Sequence, residues 1–140
     1  MKISYGINNL KVDEFHKVKK LILQLTNKQV KTNWKALKKV MQNEILLIAR
    51  DHKTVVGLTV LSETWKPTAF VGTIEDVIVD EKYRGQGIGK KMILLAIKKA
   101  KQLKMTYLNL TSHASRIEAN SLYQKIGFKM RETNVYKLDL

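Results

Sequence analysis

The stretch Thr73 to Leu103 reads TIEDVIVDEKYRGQGIGKKMILLAIKKAKQL, and it decides the fold. The β-branched residues near its start predict a strand. A charged turn over 80–84 then leads into a run in which every second residue is glycine. Apolar residues follow at the spacing of one helical face, at Ile88, Met92, Leu95, Ala96 and Ala100. The stretch therefore predicts a strand, a glycine loop and a helix, in that order.

A strand that delivers glycines to the start of a helix makes a binding site for an anion. The missing side chains let a ligand approach the backbone. The N–H groups of the first helical turn have no partner within the helix, and the helix dipole adds partial positive charge there. We therefore predict that a phosphate group binds at residues 84–90.

Two common phosphate-binding patterns do not match this loop. The dinucleotide pattern G-x-G-x-x-G, begun at Gly85, requires a glycine where Lys90 stands. The nucleoside triphosphate pattern G-x-x-x-x-G-K-S/T requires a glycine in place of Arg84 and a hydroxyl in place of Lys91. The pattern left is Arg84-x-x-Gly87-x-Gly89.

That pattern resembles the acetyl-coenzyme A signature Q/R-x-x-G-x-G/A of the GCN-five-related N-acetyltransferase (GNAT) superfamily. The preceding IEDVIVD and the later NSLYQKIGF stand in the order that the family shows, so the resemblance covers about Phe70 to Tyr136. It implies an α/β fold, with a mostly antiparallel central sheet of about six to seven strands flanked by about four helices. It also implies acetyl-CoA as the co-substrate, with no metal, and a homodimer is common among such proteins.

Length and composition set further limits. A chain of 140 residues is long enough for one domain with its own core, and we predict a single domain over 1–140. Without cysteine there is no disulfide, thiolate zinc site or cysteine nucleophile, and the three histidines lack metal-ligand spacing. No apolar run approaches the ~20 residues of a membrane span, and the N-terminus lacks the apolar core of a signal peptide. We therefore expect a cytoplasmic protein that does not bind membranes.

The net charge of +14 raises the question of a nucleic-acid partner. Most lysines fall on outward helical positions, and no nucleic-acid-binding motif accompanies them. The pattern favours a solvated surface, so nucleic acid is an unlikely partner.

Elsewhere the sequence predicts elements compatible with a mixed α/β domain. Asn8 or Asn9 is expected to cap the first helix, and Gly127 to end the last one. The predicted strands are Met1–Ile7, Glu44–Arg50, Thr54–Thr64, Phe70–Val79, Met105–Thr111, Phe128–Arg131 and Val135–Leu138. The predicted helices run from Asn8 or Asn9 to about Leu25, over Thr32–Asn43, through the central apolar stripe, and over Arg116–Ile126.

The resemblance assigns coenzyme-binding residues by their positions in the motif. The loop supplies the pyrophosphate cradle, the strand before it contacts the pantetheine arm through a bulge, and Asn120 hydrogen-bonds the coenzyme. The alternative for Asn120 is an ordinary asparagine on the helix surface. The alternative for the bulged strand is an ordinary buried strand. The predicted coenzyme-binding residues are Val77, Ile78, Val79, Arg84, Gly85, Gln86, Gly87, Ile88, Gly89, Lys90 and Asn120.

Acetyl transfer to an amine requires a base for the amine proton and benefits from an acid for the leaving thiolate. Tyr123 occupies the family's Y-x-x-x-G-F position and is the predicted acid, with a core tyrosine as the alternative. Glu75 is the predicted base, acting directly or through water. Asp76 and His113 stay open as rivals, the histidine because of its pKa. Because side chains alternate along a strand, Glu75 and Asp76 are expected on opposite faces.

The function implied is N-acetyl transfer from acetyl-CoA to a primary amine of a small molecule or amino acid by direct attack. The alternatives are a protein (lysine or N-terminal) acetyltransferase and a non-catalytic acyl-CoA-binding module. The sequence does not name the amine.

Overall fold

The computed structural model describes residues 1–26 and 31–140. Short 3-10 turns precede α1 and follow β4, at Val12–Glu14 and Glu81–Tyr83. The strands and helices are β1 (Ile3–Ile7), α1 (Phe15–Thr26), α2 (Trp34–Asn43), β2 (Ile45–Asp51), β3 (Thr54–Trp65), β4 (Phe70–Val79), α3 (Ile88–Gln102), β5 (Leu108–Leu110) and α4 (Ile117–Ile126). The predicted mixed α/β class is confirmed.

The chain divides into two compact units, Met1–Leu110 and Thr111–Leu140. The first holds a five-stranded sheet in the order β1-β2-β3-β4-β5. Its first three pairings are antiparallel, and β4 pairs with β5 in parallel. The mostly antiparallel sheet is confirmed, with five strands among the described residues where six to seven were expected. The single domain over 1–140 stays a prediction.

Two buried clusters fix the helices of the first unit on the sheet. Val18 and Leu21 of α1 and Leu37 of α2 share one cluster, the α1 cluster, with residues of β2, β3 and β4. Ile88 and Met92 of α3 share the other, the α3 cluster, with residues of β2 and β3. These faces follow from the helical spacing of the apolar residues, since burying them removes hydrocarbon surface from water.

The β1–α1 connection differs from its prediction. Asn8 and Asn9 do not cap α1, whose first residue is Phe15. Asn8 accepts a hydrogen bond from the Leu46 amide at 2.7 Å, and Asn9 accepts one from Arg50 at 3.0 Å. Both asparagines therefore tie the connection to β2, and the sequence carries no mark of these distant partners.

The predicted closing strands Phe128–Arg131 and Val135–Leu138 were wrong. Residues 128–140 contain no strand, and the side chains of Val135, Tyr136 and Leu138 are exposed. The predicted strand Met105–Thr111 is likewise shortened to Leu108–Leu110. Alternation of apolar and polar residues shows what a strand's faces would be, but a strand forms only where a partner supplies its hydrogen bonds. Gly127 does end α4, with φ of 120°.

Candidate active site

The glycine loop, defined as residues 84–90, joins the end of β4 to α3 through the turn Glu81–Tyr83. Gly85 and Gly87 have φ of 75° and 78°, in the left-handed region that favours glycine. A Cβ at either position would meet nothing within 4 Å. The two glycines are therefore required by backbone conformation, and they leave open space above the loop.

The start of α3 presents backbone donors to that space. Gly87 is the N-cap and has no side chain with which to cap the helix. The first intrahelical bond runs from the Lys91 amide to the Gly87 carbonyl at 2.9 Å, so the amides of 88–90 precede it. A Cβ on Gly89 would lie 3.6 Å from Val79, an ordinary contact, so the protein itself does not demand a glycine there. These donors and this clearance fit a pyrophosphate lying on the backbone.

Side chains of the loop itself bond mostly to nearby backbone. Arg84 Nε donates to the Val79 carbonyl at 3.1 Å, and Gln86 Nε2 donates to the Lys82 carbonyl at 3.5 Å. Lys90 is exposed, whereas Ile88 is buried in the α3 cluster. Of the predicted cradle residues, Ile88 therefore offers only its backbone to a ligand.

A β-bulge interrupts β4 before the loop. Leu58 pairs with Ile78, and Val60 pairs with Glu75, so two steps along β3 match three along β4. The extra residue is Asp76 or its neighbour, and Asp76 has φ of 51°. The bulge expected from the resemblance is therefore present.

The bulge also corrects one expectation. Strict alternation does not apply at an inserted residue, so it cannot assign Glu75 and Asp76 to opposite faces. Both side chains are exposed. Beyond the bulge, Val77 and Val79 pack against the α3 cluster, whereas Ile78 lies in the α1 cluster.

Thr59 holds the bulge from the neighbouring strand. Its side chain is fully buried, and its Oγ1 donates to the Glu75 carbonyl at 2.9 Å. A bulge disturbs the ladder and leaves backbone groups in need of other partners. Sequence reasoning missed Thr59, since one threonine within an apolar strand carries no signal of this role.

The Glu75 carboxyl stands in an acidic setting on a basic protein. Partial loss of hydration raises its pKa, and the negative charges of Asp76 and Glu44 raise it further. Glu44, just before β2, accepts a hydrogen bond from the Glu63 amide at 2.9 Å. Glu44 was also missed, because its approach to β4 depends on strand pairing. The setting makes Glu75 a better proton acceptor than an ordinary glutamate.

The second unit holds Tyr123 and Asn120 on α4. Tyr123 is buried, with its ring edge-to-face with Phe128 at 6.3 Å. Desolvation raises the pKa of Tyr123, opposed by the charge of Arg116, so the phenol stays protonated at neutral pH. Asn120 is half-buried, and its Nδ2 donates to the His113 carbonyl at 3.0 Å.

His113 occupies an exposed polar turn, and its Nδ1 lies 2.7 Å from the Ser115 hydroxyl. Nearby, the Ser112 hydroxyl is buried without a hydrogen-bond partner in the described part of the chain. Buried polar atoms are usually paired, and sequence gave no sign of this one. The structure thus groups Glu75, Val77–Val79 and the glycine loop in the first unit, and Tyr123 with Asn120 in the second.

Within 1–26 and 31–140, no group of three or more histidine, aspartate or glutamate side chains is arranged to hold a metal ion. No helix in those same ranges has the length and apolar character needed to cross a membrane.

The sequence model of the Acetyltransferase (GNAT) family matches residues 12–128. This match spans most of the chain, and the protein belongs to that family.

Two curated relatives share part of the sequence. An uncharacterized N-acetyltransferase, YvbK, of Bacillus subtilis (strain 168) is 35% identical over 77 residues, which are 55% of this chain and 48% of that protein. A glucosamine 6-phosphate N-acetyltransferase of Trypanosoma brucei brucei is 39% identical over 72 residues, which are 50% of this chain and 45% of that protein. The chain thus matches less than half the length of these relatives.

Solved structures share the fold over nearly the whole chain. A transcriptional regulator from Bacillus halodurans C-125 has a TM-score of 0.85 at 23% identity, covering 98% of this chain and 100% of that one. A Trypanosoma brucei acetyltransferase has a TM-score of 0.82 at 23% identity, covering 99% and 100%. At this identity the likeness concerns the fold alone.

Proposed function

We propose that the protein is an acetyl-CoA-dependent N-acetyltransferase that acts on a primary amine of a small molecule or amino acid. The observation that carries the proposal is the left-handed Gly85 and Gly87 beneath open space at the start of α3, in a chain of this family. A pyrophosphate is the group that such a loop suits best.

The predicted residues divide the work between binding and proton transfer. The glycine loop binds the pyrophosphate, and the backbone of Val77 to Val79 contacts the pantetheine arm. Asn120 is retained as a coenzyme contact through its side-chain oxygen, since its nitrogen donates to the His113 carbonyl at 3.0 Å and to the Ala114 carbonyl at 3.5 Å. Acetyl-CoA supplies the acetyl group as a thioester.

Glu75 takes one proton from the ammonium group of the acceptor, directly or through water, and the neutral amine that results attacks the thioester. Its second proton leaves to solvent as the amide forms. As the C–N bond forms and the C–S bond breaks, the buried Tyr123 phenol gives its proton to the departing sulfur. The products are the N-acetylated amine and coenzyme A. Return of the Glu75 proton to solvent and reprotonation of Tyr123 complete the cycle.

Charge supports an acceptor that carries positive charge. Glu75, Asp76 and Glu44 are close enough for the last two to raise the pKa of the first, whereas the protein as a whole has a charge of +14. Local negative charge raises the concentration of ammonium groups, and the raised pKa equips Glu75 to deprotonate them. One relative's name, glucosamine 6-phosphate N-acetyltransferase, also points to a small amine.

The test is release of thiol from acetyl-CoA across small amines, amino acids and lysine peptides. We expect turnover with small amines. In Tyr123→Phe, kcat should fall about 100-fold with unchanged coenzyme affinity, as for loss of a general acid. Tyr136→Phe, on an exposed tyrosine, is the matched control. Turnover of peptides alone would favour the protein acetyltransferase. Coenzyme binding without turnover, indifferent to Tyr123→Phe, would favour the binding module.

Two further expectations belong to this proposal. A homodimer is inferred from the family resemblance and is checked by light scattering of the full chain. A cytoplasmic location is inferred from the sequence and is checked by fractionation of cells that express it.

A further inference from the structure

Tyr83 connects the glycine loop to a distant hairpin. It is the residue before Arg84, and its hydroxyl donates to Asp51 Oδ2 at 3.2 Å, across 32 positions of sequence. Asp51 ends β2, and its side chain is only 16% exposed. Its other oxygen accepts a hydrogen bond from the Lys2 amide at 2.9 Å. The carboxylate therefore has a fixed position from which to hold the phenol.

The phenol ring is itself held in place. Tyr83 packs against the cluster that contains Ile88 and Met92 of α3. The Lys2 amide lowers the pKa of Asp51, and the Tyr83 hydroxyl lowers it further, which keeps the carboxylate charged. Hydrogen bonds to a charged partner are stronger than neutral ones.

Other contacts hold the loop less directly. The side-chain bonds of Arg84 and Gln86 reach only five and four positions along the chain. A second distant contact, from the Glu81 amide to Gln24 Oε1 at 3.3 Å, involves a neutral acceptor. Within residues 1–26 and 31–140, the Tyr83–Asp51 bond thus combines long range, a charged acceptor and adjacency to the loop.

We propose that Tyr83 and Asp51 are positioning residues that hold the glycine loop in its coenzyme-binding conformation. This inference rests on the proposed function. Glycine loses more conformational freedom on ordering than any other residue. A loop ordered before binding spares the ligand that cost. The pair therefore acts on coenzyme affinity, and only through the loop.

The experiment is calorimetric titration of coenzyme A into the full chain, with kcat measured at saturating acetyl-CoA. Tyr83→Phe removes one oxygen and is expected to raise the dissociation constant of coenzyme A about three- to tenfold. Its kcat should stay within about twofold of the wild-type value. Asp51→Ala is expected to do the same. Asp51→Asn keeps one acceptor oxygen where Asp51 uses two, and it loses the charge, so it should restore only part of the affinity. The double variant Tyr83→Phe/Asp51→Ala should bind no more weakly than either single variant, because one interaction is lost once.

Tyr107→Phe is the matched control, since that phenol bonds to Lys66 at 3.4 Å, outside the loop. Its coenzyme affinity should equal that of the wild type. Thermal melting of each variant separates lost affinity from lost folding. If the wild type binds coenzyme A and Tyr83→Phe binds it equally well, the positioning role is wrong and the proposed function stands. Additive losses in the double variant would also overturn the pairing. A wild type that does not bind coenzyme A would overturn both proposals.

Discussion

Two short stretches of backbone adopt the left-handed conformation beside the candidate site, and they do so with different residues. In the glycine loop the residues are Gly85 and Gly87, with φ of 75° and 78°. In the β4 bulge the residue is Asp76, with φ of 51°. Glycine adopts this conformation without steric cost, whereas aspartate is one of the few other residues that tolerate it.

The difference shows how each stretch can contribute. The loop lacks side chains at Gly85, Gly87 and Gly89, so a ligand can contact its backbone there. The bulge keeps its side chains and displays two neighbouring carboxylates, Glu75 and Asp76, with the Thr59 hydroxyl bonded beneath them. On the proposed function, the loop determines coenzyme affinity, and the bulge determines proton transfer from the amine.

The largest effect is expected at the bulge. Glu75→Gln removes the proposed base while keeping the shape of the side chain, and kcat should fall about 100-fold or more. The dissociation constant of coenzyme A should not change. Glu132→Gln, on an exposed glutamate, serves as the control. If kcat in Glu75→Gln equals that of the wild type, the base is Asp76, His113 or water.

The reciprocal change is expected at the loop. Gly87→Val places a β-branched residue at a left-handed position, which costs roughly 1–2 kcal/mol of conformational free energy. Its side chain also obstructs the ligand. Coenzyme affinity should fall about 30-fold or more in a calorimetric titration. Gly87→Asn tolerates the conformation but still obstructs, so its loss should be smaller yet clear. Unchanged affinity in both variants would show that the coenzyme does not lie on the loop.

The loop could be predicted from the sequence because its left-handed backbone requires glycine, a residue type that the sequence shows directly. Alternating glycines between a strand and a helix have few other uses. The structure shows Gly85 and Gly87 at positions whose left-handed backbone favours glycine. Helical spacing also predicted most of the buried face of α3. Leu95 is only half-buried, however, and the buried Ile93 was missed.

The bulge could not be read from the residues alone. Asp76 resembles any polar strand residue, and Thr59 and Glu44 reach Glu75 only through strand pairing. The same limit explains Asn8 and the absent strands over 128–140. Local pattern identifies what a segment can form, whereas its distant partners decide what it does form.

The bulge should depend on its hydroxyl anchor. Thr59→Val keeps the side-chain volume but leaves the Glu75 carbonyl without its donor, so the free energy of unfolding should fall by about 1–3 kcal/mol. Urea denaturation measures this. Thr64→Val, the same change at an exposed position of β3, should stay within about 0.5 kcal/mol. Equal stabilities for the two variants would mean that the buried hydroxyl does not support the bulge.

A shift in pH dependence is expected when the charge near the bulge changes. Glu75 serves as a base only when deprotonated, so kcat/KM should fall as pH decreases through its raised pKa. Glu44→Gln removes one of the charges that raise this pKa, so the acidic limb of the profile should move to lower pH. An acidic limb that does not move, or moves to higher pH, would contradict the assigned electrostatics.

The smallest effect is expected at Asp76. Asp76→Gly removes the steric cost of the left-handed conformation but makes the unfolded chain more flexible. The free energy of unfolding should therefore change by no more than about 0.5 kcal/mol. In Asp76→Val it should fall by about 1–2 kcal/mol. Equal stabilities would show that the left-handed conformation is not retained in solution.

The central claim, that the glycine loop holds the coenzyme, is tested most directly by nuclear magnetic resonance of the ¹⁵N-labelled full chain. Glycine amides resonate apart from most others, and this chain has only seven glycines. On addition of coenzyme A, the amides of Gly85, Gly87 and Gly89 should shift together and saturate, while Gly6 in β1 stays in place. Loop amides that do not move while coenzyme A binds elsewhere, or does not bind, would contradict the account.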